Sequence, residues 1–317
     1  MKSLSFLLVL SFVVSNVLSQ SSLPTELQTP EIVSVNRMPM RASAFAYESA
    51  GLAESRVKEN SKYFLSLNGQ WKFNWVQNPN DRPKDFYTLA YDDSKWVNFP
   101  VPANWELNGY GLPIYVNQPY EFAGAKFRAG RLKPPFDIPA DNNPVGSYRK
   151  KVVIPADWDG RQVFIHLGAV KSAFFIWVNG KKVGYSEDSK LAAEFDITEY
   201  VQPGENLVAL QVYRWSDASY LECQDMWRIS GIERDVYLYA TPKLDIWDFK
   251  VQSNLVNNYR DGSLQVHVEV NSYKTDVRTL HSKPDSFTVE ARLTGADGKE
   301  IYKEASGIYT VLGCYKT

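Results

Sequence analysis

Cysteine, histidine and long apolar runs are scarce in this 317-residue chain, and each scarcity removes a class of function. The 2 cysteines, Cys223 and Cys314, are too few for a disulfide framework. Neither has a partner at ligand spacing, so both are expected as free thiols. The 3 histidines, His166, His267 and His281, are far apart, and two fall in strand-like runs. A histidine-built metal centre is therefore not expected. No glycine-rich phosphate loop occurs, and no Gly-x-Ser-x-Gly nucleophile elbow. There is no Asn-x-Ser/Thr glycan acceptor. Neither sign of charge dominates: 35 basic and 36 acidic residues leave a net charge of −1. A nucleic-acid partner would need a basic footprint that this balance does not supply. The only sustained apolar run, residues 4–14, is too short to span a bilayer, so no membrane insertion is expected.

Aromatic residues are plentiful, at 14% of the chain with 9 Trp and 19 Tyr. They suit a β-rich core, because flat rings pack well on pleated surfaces. They equally suit platforms for sugar rings. Lys2, the apolar run and the small residues before Gln20 read as a secretory signal over residues 1–19. Export, to a periplasm or the exterior, is the expected localisation. Residues 20–40 are polar and proline-bearing, and read as an extended arm.

From there the chain is strand-like. Residues 65–75 alternate apolar and polar around Asn68-Gly69, which predicts a hairpin. Residues 98–120 carry four prolines among aromatics and read as an irregular surface segment. Strands are expected at 148–154, 162–167, 206–213 and 236–240, with a second hairpin at 174–185 turning on Asn179-Gly180. Many short strands separated by Gly, Pro and Asn predict an all-β sandwich of jelly-roll type over residues 41–240. Beyond Pro242, Leu264, Val266, Val268 and Val270 alternate with polar residues, and Phe287, Val289, Ala291 and Leu293 repeat the pattern. Residues 242–317 thus read as an immunoglobulin-like sandwich with too few residues for all its strands, as if cut short. The exposed core and unpaired edge of such a piece predict poor solubility.

The richest stretch for chemistry is residues 215–231. It gathers three aromatic rings, three carboxylates, an amide and Arg228 into one loop between strands. Ring faces beside directional acceptors are what a sugar needs, since its C–H faces stack while its hydroxyls seek partners. Solvated loop charges would produce the same composition. Glu222 with Asp225, and Glu187 with Asp188, are the neighbouring carboxylates that a glycosidase could use. Hydrogen-bonded or solvated loop acids are the plainer reading, and no catalytic residue is assigned to this chain. Asn117 in Pro-Ile-Tyr-Val-Asn offers an amide suited to a sugar hydroxyl, with backbone capping as its structural alternative.

Together, Pro102-Ala103-Asn104-Trp105, Pro113-Ile114-Tyr115, Gly146-Ser147-Tyr148, Ser172-Ala173-Phe174, Val178-Asn179-Gly180, Gly184-Tyr185-Ser186 and Gln224-Asp225-Met226-Trp227-Arg228-Ile229-Ser230-Gly231-Ile232 resemble glycoside hydrolase family 2. Within it the likeness is to the large bacterial β-galactosidases. It covers residues 41–240 well and the following segment more loosely. The resemblance implies a jelly-roll domain, an immunoglobulin-like domain and a catalytic TIM barrel with both catalytic glutamates, the barrel lying outside this sequence. It implies that Asn117 and Asp225 contact the galactose. It also implies that Asp225 ligates a monovalent cation, typically sodium, with the other ligands and any magnesium held by the barrel. Cys223 stands where relatives often carry an acid. The residues 123–133, rich in Gly, Ala, Lys and Arg, look like an insertion at the pocket rim. The expected function is the sugar-binding part of a retaining enzyme that hydrolyses terminal β-D-galactosides, inactive by itself. Its partners would be β-galactoside sugars and, for the whole enzyme, further copies in a homo-oligomer. The alternative is a stand-alone, non-catalytic carbohydrate-binding module.

Overall fold

The structure, a computed structural model, describes residues 23–115, 138–222, 226–273 and 287–308. The chain is all-β. Its strands are β1 (Ser34–Val35), β2 (Phe64–Ser66), β3 (Gly69–Val76), β4 (Val97–Val101), β5 (Ala103–Asn104), β6 (Val145–Ile154), β7 (Gln162–Leu167), β8 (Val170–Lys171), β9 (Ala173–Val178), β10 (Lys181–Ser186), β11 (Ala193–Asp196), β12 (Gly204–Tyr213), β13 (Gly231–Ile232) and β14 (Val236–Thr241). Two hairpins follow, made of β15 (Leu244–Val256) with β16 (Asp261–Ser272), and β17 (Phe287–Thr294) with β18 (Glu300–Ile308).

A seven-stranded sheet in the order β1-β10-β9-β12-β6-β3-β4 faces a four-stranded sheet, β11-β7-β14-β2. Val208, Leu210 and Val212 of β12 face the core between them, with Trp71, Phe73, Tyr148, Ile165, Leu167 and Leu238. Strand geometry sends the alternate residues to the other face. There Ala209 meets Phe86 and Trp96, while Tyr213 packs with Leu23, Leu27 and Tyr185. The large sheet is thus covered on both sides, which is why β12 is buried nearly throughout. Arg149 fixes the outer cover. Its guanidinium pairs with Asp93 at 2.7 Å and donates to the carbonyls of Phe86 and Thr88. The segment expected as an extended arm contributes Leu23 and Leu27 to another part of the cover and includes edge strand β1, paired with β10.

Of the two Asn-Gly turns expected, one forms a hairpin. β9 and β10 pair antiparallel around Asn179 (φ 49°) and Gly180 (φ 84°), the positive angles that such a turn demands. At Asn68-Gly69 only the glycine takes positive φ, and the flanking strands part company. β2 joins β14 in the small sheet and β3 joins β4 and β6 in the large one. Leu67 drops into the core between them. Asn68 holds the corner, its side-chain oxygen accepting from Val236 N and its amide donating to Asp235, both at 2.9 Å. The expected hairpin is a sheet-to-sheet crossing.

The segment expected as irregular surface differs at its start. Val97–Val101 is an edge strand of the large sheet, where Pro100 costs no ladder bond. Phe99, Val101 and Trp105 are buried. Trp105 donates its indole N–H to the Tyr148 hydroxyl. It also packs so close to Gly146 that a Cβ there would come within 2.8 Å of Phe73 and Trp105 atoms.

Arg41 joins the sandwich to the following hairpin. It contacts Glu194 at 3.2 Å, the Tyr239 hydroxyl at 2.7 Å and the carbonyl of Trp247 at 3.3 Å, with its guanidinium 4.8 Å from the Trp247 ring. The alternating runs expected after Pro242 occupy β16 and β17, and Gly298 (φ 77°) turns the last hairpin. Among the described residues these hairpins stay two separate two-stranded sheets, with Val251, Leu255, Leu264 and Val266 exposed.

Candidate functional site

The strand ends β6, β9 and β12, with the small sheet β5-β13-β8, support two loops at one end of the sandwich. One runs over residues 105–115 and the other over residues 214–230. The second is fastened where it leaves β12. Trp215 N donates to Asn143 Oδ1 and Asn143 Nδ2 to Trp215 O, both at 2.9 Å. Ser216 and Ser219 then form a reciprocal capping box around one 3₁₀ turn, Asp217–Tyr220. The buried Ser172 hydroxyl lies 2.8 Å from Ser216 Oγ and donates to Glu222 Oε2 at 3.1 Å. Ser189 N donates to Glu222 Oε1 at 2.7 Å. Both carboxylate oxygens of Glu222 are engaged in holding the loop.

The far side of this loop is tied to the first. Arg228 N donates to Ile114 O at 2.7 Å, an isolated antiparallel bridge, and the Tyr115 and Trp227 rings lie 5.5 Å apart. Arg214 spans both loops from below. Its Nη2 donates to Leu112 O and to Arg228 O, each at 3.0 Å, and its Nη1 sits 3.3 Å from Glu106 Oε1. Glu106 Oε2 accepts from Ser230 N at 2.7 Å, while Ser230 O accepts from Trp105 N at 2.8 Å. Burial pushes the Glu106 carboxyl above its ordinary range, opposed by the Ser230 N–H and the Arg214 charge.

Beside this junction opens a cavity of about 460 Å³, lined by Asn104, Asp188, Ser189, Lys190, Glu222, Met226, Trp227, Ile229, Glu233 and Arg234. That volume takes a monosaccharide and lies in the usual range for small-ligand sites, roughly 300–1,000 Å³. Glu233 is held by Lys190 and by Asn104 Nδ2, the latter at 3.2 Å. Trp227 is 54% exposed and presents an aromatic face at the cavity. Trp215, by contrast, is buried in the support. The loop expected to be an aromatic and acidic patch is therefore divided. Arg228 (1% exposed) and Asp217 are interior, and of the three rings Trp227 is the exposed one.

Both residues assigned to sugar binding, Asn117 and Asp225, lie outside the described residues, as do Cys223, Cys314, His281, residues 123–133 and the expected signal at residues 1–19. Their neighbours are described: Ile114 and Tyr115 precede Asn117, and Met226, Trp227 and Arg228 follow Asp225. Of the acid pairs, Glu187 is buried and accepts from the Tyr185 hydroxyl at 3.0 Å, while Asp188 is exposed at the cavity with φ 89°. His166 pairs with Glu194 at 2.9 Å and does not line the cavity. Among the described residues no group of three His, Cys, Asp or Glu side chains is arranged to hold a metal. No helix among them is long and apolar enough to cross a membrane. Glu106 and Arg214 escaped the sequence reading. The available signal was charge placed directly against buried aromatics, in Trp105-Glu106 and Arg214-Trp215.

The sugar-binding-domain model of glycosyl hydrolases family 2 matches residues 64–242, and the chain belongs to that family. Its sequence relatives are β-galactosidases. The enzyme of Priestia megaterium is 43% identical over 273 residues, 86% of this chain and 25% of that protein. The enzyme of Clostridium acetobutylicum is 35% identical over 286 residues, 89% of this chain and 31% of that one. The chain thus spans about a quarter to a third of the length of these curated relatives. A solved family 2 β-glucuronidase shares the fold at TM-score 0.57 and 18% identity, covering 80% of this chain and 25% of that one.

Proposed function

We propose that this chain is the sugar-binding part of a β-galactosidase that removes terminal β-D-galactose with retention, the two catalytic glutamates belonging to a barrel outside this sequence. The observation that carries the reading is the bridge between the two loops. Arg228 N–H to Ile114 O and Tyr115 against Trp227 bring together the segments that run to Asp225 and Asn117, beside a monosaccharide-sized cavity. In this reading the Asn117 amide and the Asp225 carboxylate take galactose hydroxyls, and Trp227 offers a face to the C–H side of the ring. Asp225 would also supply one oxygen to a sodium ion, a hard cation that carboxylates suit. Export belongs to the same proposal and rests on Lys2 and the apolar run at residues 4–14.

The longer protein is expected to hydrolyse nitrophenyl β-galactoside, and the 317-residue chain alone is not. In the longer protein, Asp225→Asn and Asn117→Ala should each raise KM at least about tenfold, the loss of one directional sugar contact. Turnover by the isolated chain would overturn the location of the catalytic groups. Tight galactose binding by the isolated chain, seen in calorimetry, would favour a stand-alone carbohydrate-binding module instead.

A further inference from the structure

We infer that Arg214, backed by Glu106, is a positioning residue that locks the two sugar-site loops into one rigid unit. The geometry is specific to that task. One guanidinium nitrogen reaches Leu112 O, five residues before Asn117, and Arg228 O, three residues after Asp225, both at 3.0 Å. The other faces Glu106 at 3.3 Å, and the side chains of both partners are almost fully buried. Glu106 in turn takes Ser230 N–H, so the ion pair grips the second loop at Arg228 and again at Ser230. The planar fork of arginine presents its donors to two carbonyls and a carboxylate in a fixed geometry, whereas a lysine would have to reach all three from one ammonium nitrogen. Arg214 is not among the residues that line the cavity; in this proposal it sets the spacing of the two loops beside it.

The proposal rests on the galactoside reading for its catalytic consequence, whereas the lock itself is measurable without sugar. In the 317-residue chain, Arg214→Met should speed exchange of the Arg228 amide at least about tenfold while the Leu210 and Val212 amides keep their protection. Arg214→Lys, which retains the charge opposite Glu106, should give a smaller increase. It serves as the decisive variant if Arg214→Met does not fold. Unchanged Arg228 exchange in a folded variant overturns the lock. In the longer enzyme, Arg214→Met should raise KM for nitrophenyl β-galactoside about tenfold with kcat altered less than about twofold, the signature of displaced binding groups. A fall confined to kcat would mean only less folded enzyme and would overturn the positioning role. If Asp225→Asn and Asn117→Ala leave KM untouched, the galactoside reading fails, and the exchange result alone judges the lock.

Discussion

Glu187 shows how far burial can move a single side chain. It directly follows β10 with its carboxyl in the interior, its backbone N–H bonded to Val33 O at 3.1 Å, and Tyr185 donating to its carboxylate. Burial first, and the neighbouring Asp217 carboxylate second, push the Glu187 carboxyl up to about 8. Asp217 is raised as well, again chiefly by burial. A folded carboxyl above its unfolded value of 4.5 gives stability that is full below that value and is lost as pH rises through about 8. The folded chain should therefore weaken between pH 5 and 8 by up to about 1.4 kcal/mol per pH unit from this group. Glu187→Gln, neutral at every pH, should flatten that slope and gain most over the parent above pH 8. Urea unfolding midpoints at three pH values check this, and an unchanged slope would refute it. The same residue explains a limit of sequence reading. Glu187-Asp188 resembles a solvated or catalytic pair on paper, but the backbone just past β10, with Asp188 at φ 89°, buries one carboxylate and leaves the other exposed at the cavity.

At the scale of elements, the two Asn-Gly dipeptides mark what was legible and what was not. Apolar alternation and turn residues located β6, β7, β9, β10, β12 and β14 nearly to their ends, because local backbone preference and local burial agree there. The partner of a strand is a different quantity. Phe64–Ser66 and Gly69–Val76 each suit a sheet, but Leu67 gains more by entering the core than a tight hairpin would allow, so each strand finds a remote partner. The segment 98–120 misled at its start through prolines that an edge strand tolerates, whereas residues 105–113 are irregular as expected. At the site, the loop at residues 215–231 was visible as a chemical concentration, whereas its bond to the 105–115 loop and the ion pair below it depend on long-range packing. Asn68→Ala removes the acceptor for Val236 N–H and the link to Asp235. It should cost about 1–2 kcal/mol, with no change in strand content. Thermal unfolding by circular dichroism measures the loss; a variant as stable as the parent would show that the corner is held by Leu67 alone.

For the whole molecule, the sandwich and the hairpin of β15 and β16 meet at Arg41. It binds Glu194 of the small sheet, Tyr239 of β14 and the carbonyl of Trp247 in β15. Ala42 N adds a bond to Asp248 at 2.8 Å. Arg41→Ala should leave the sandwich folded and free the hairpin. The expected result is faster protease cleavage over residues 242–250 with little change in the main thermal transition. Equal cleavage rates would assign the attachment to other contacts. β2 pairs with β14 across Ser66 and Tyr237, positions separated by nearly the whole sandwich. During synthesis the small sheet therefore waits for its inner strand. β2 emerges early from the ribosome and keeps an open edge until Val236–Thr241 follows. Any interruption of translation before that point leaves a chain with its apolar faces formed and its closing strand missing, a form suited to chaperone capture or degradation.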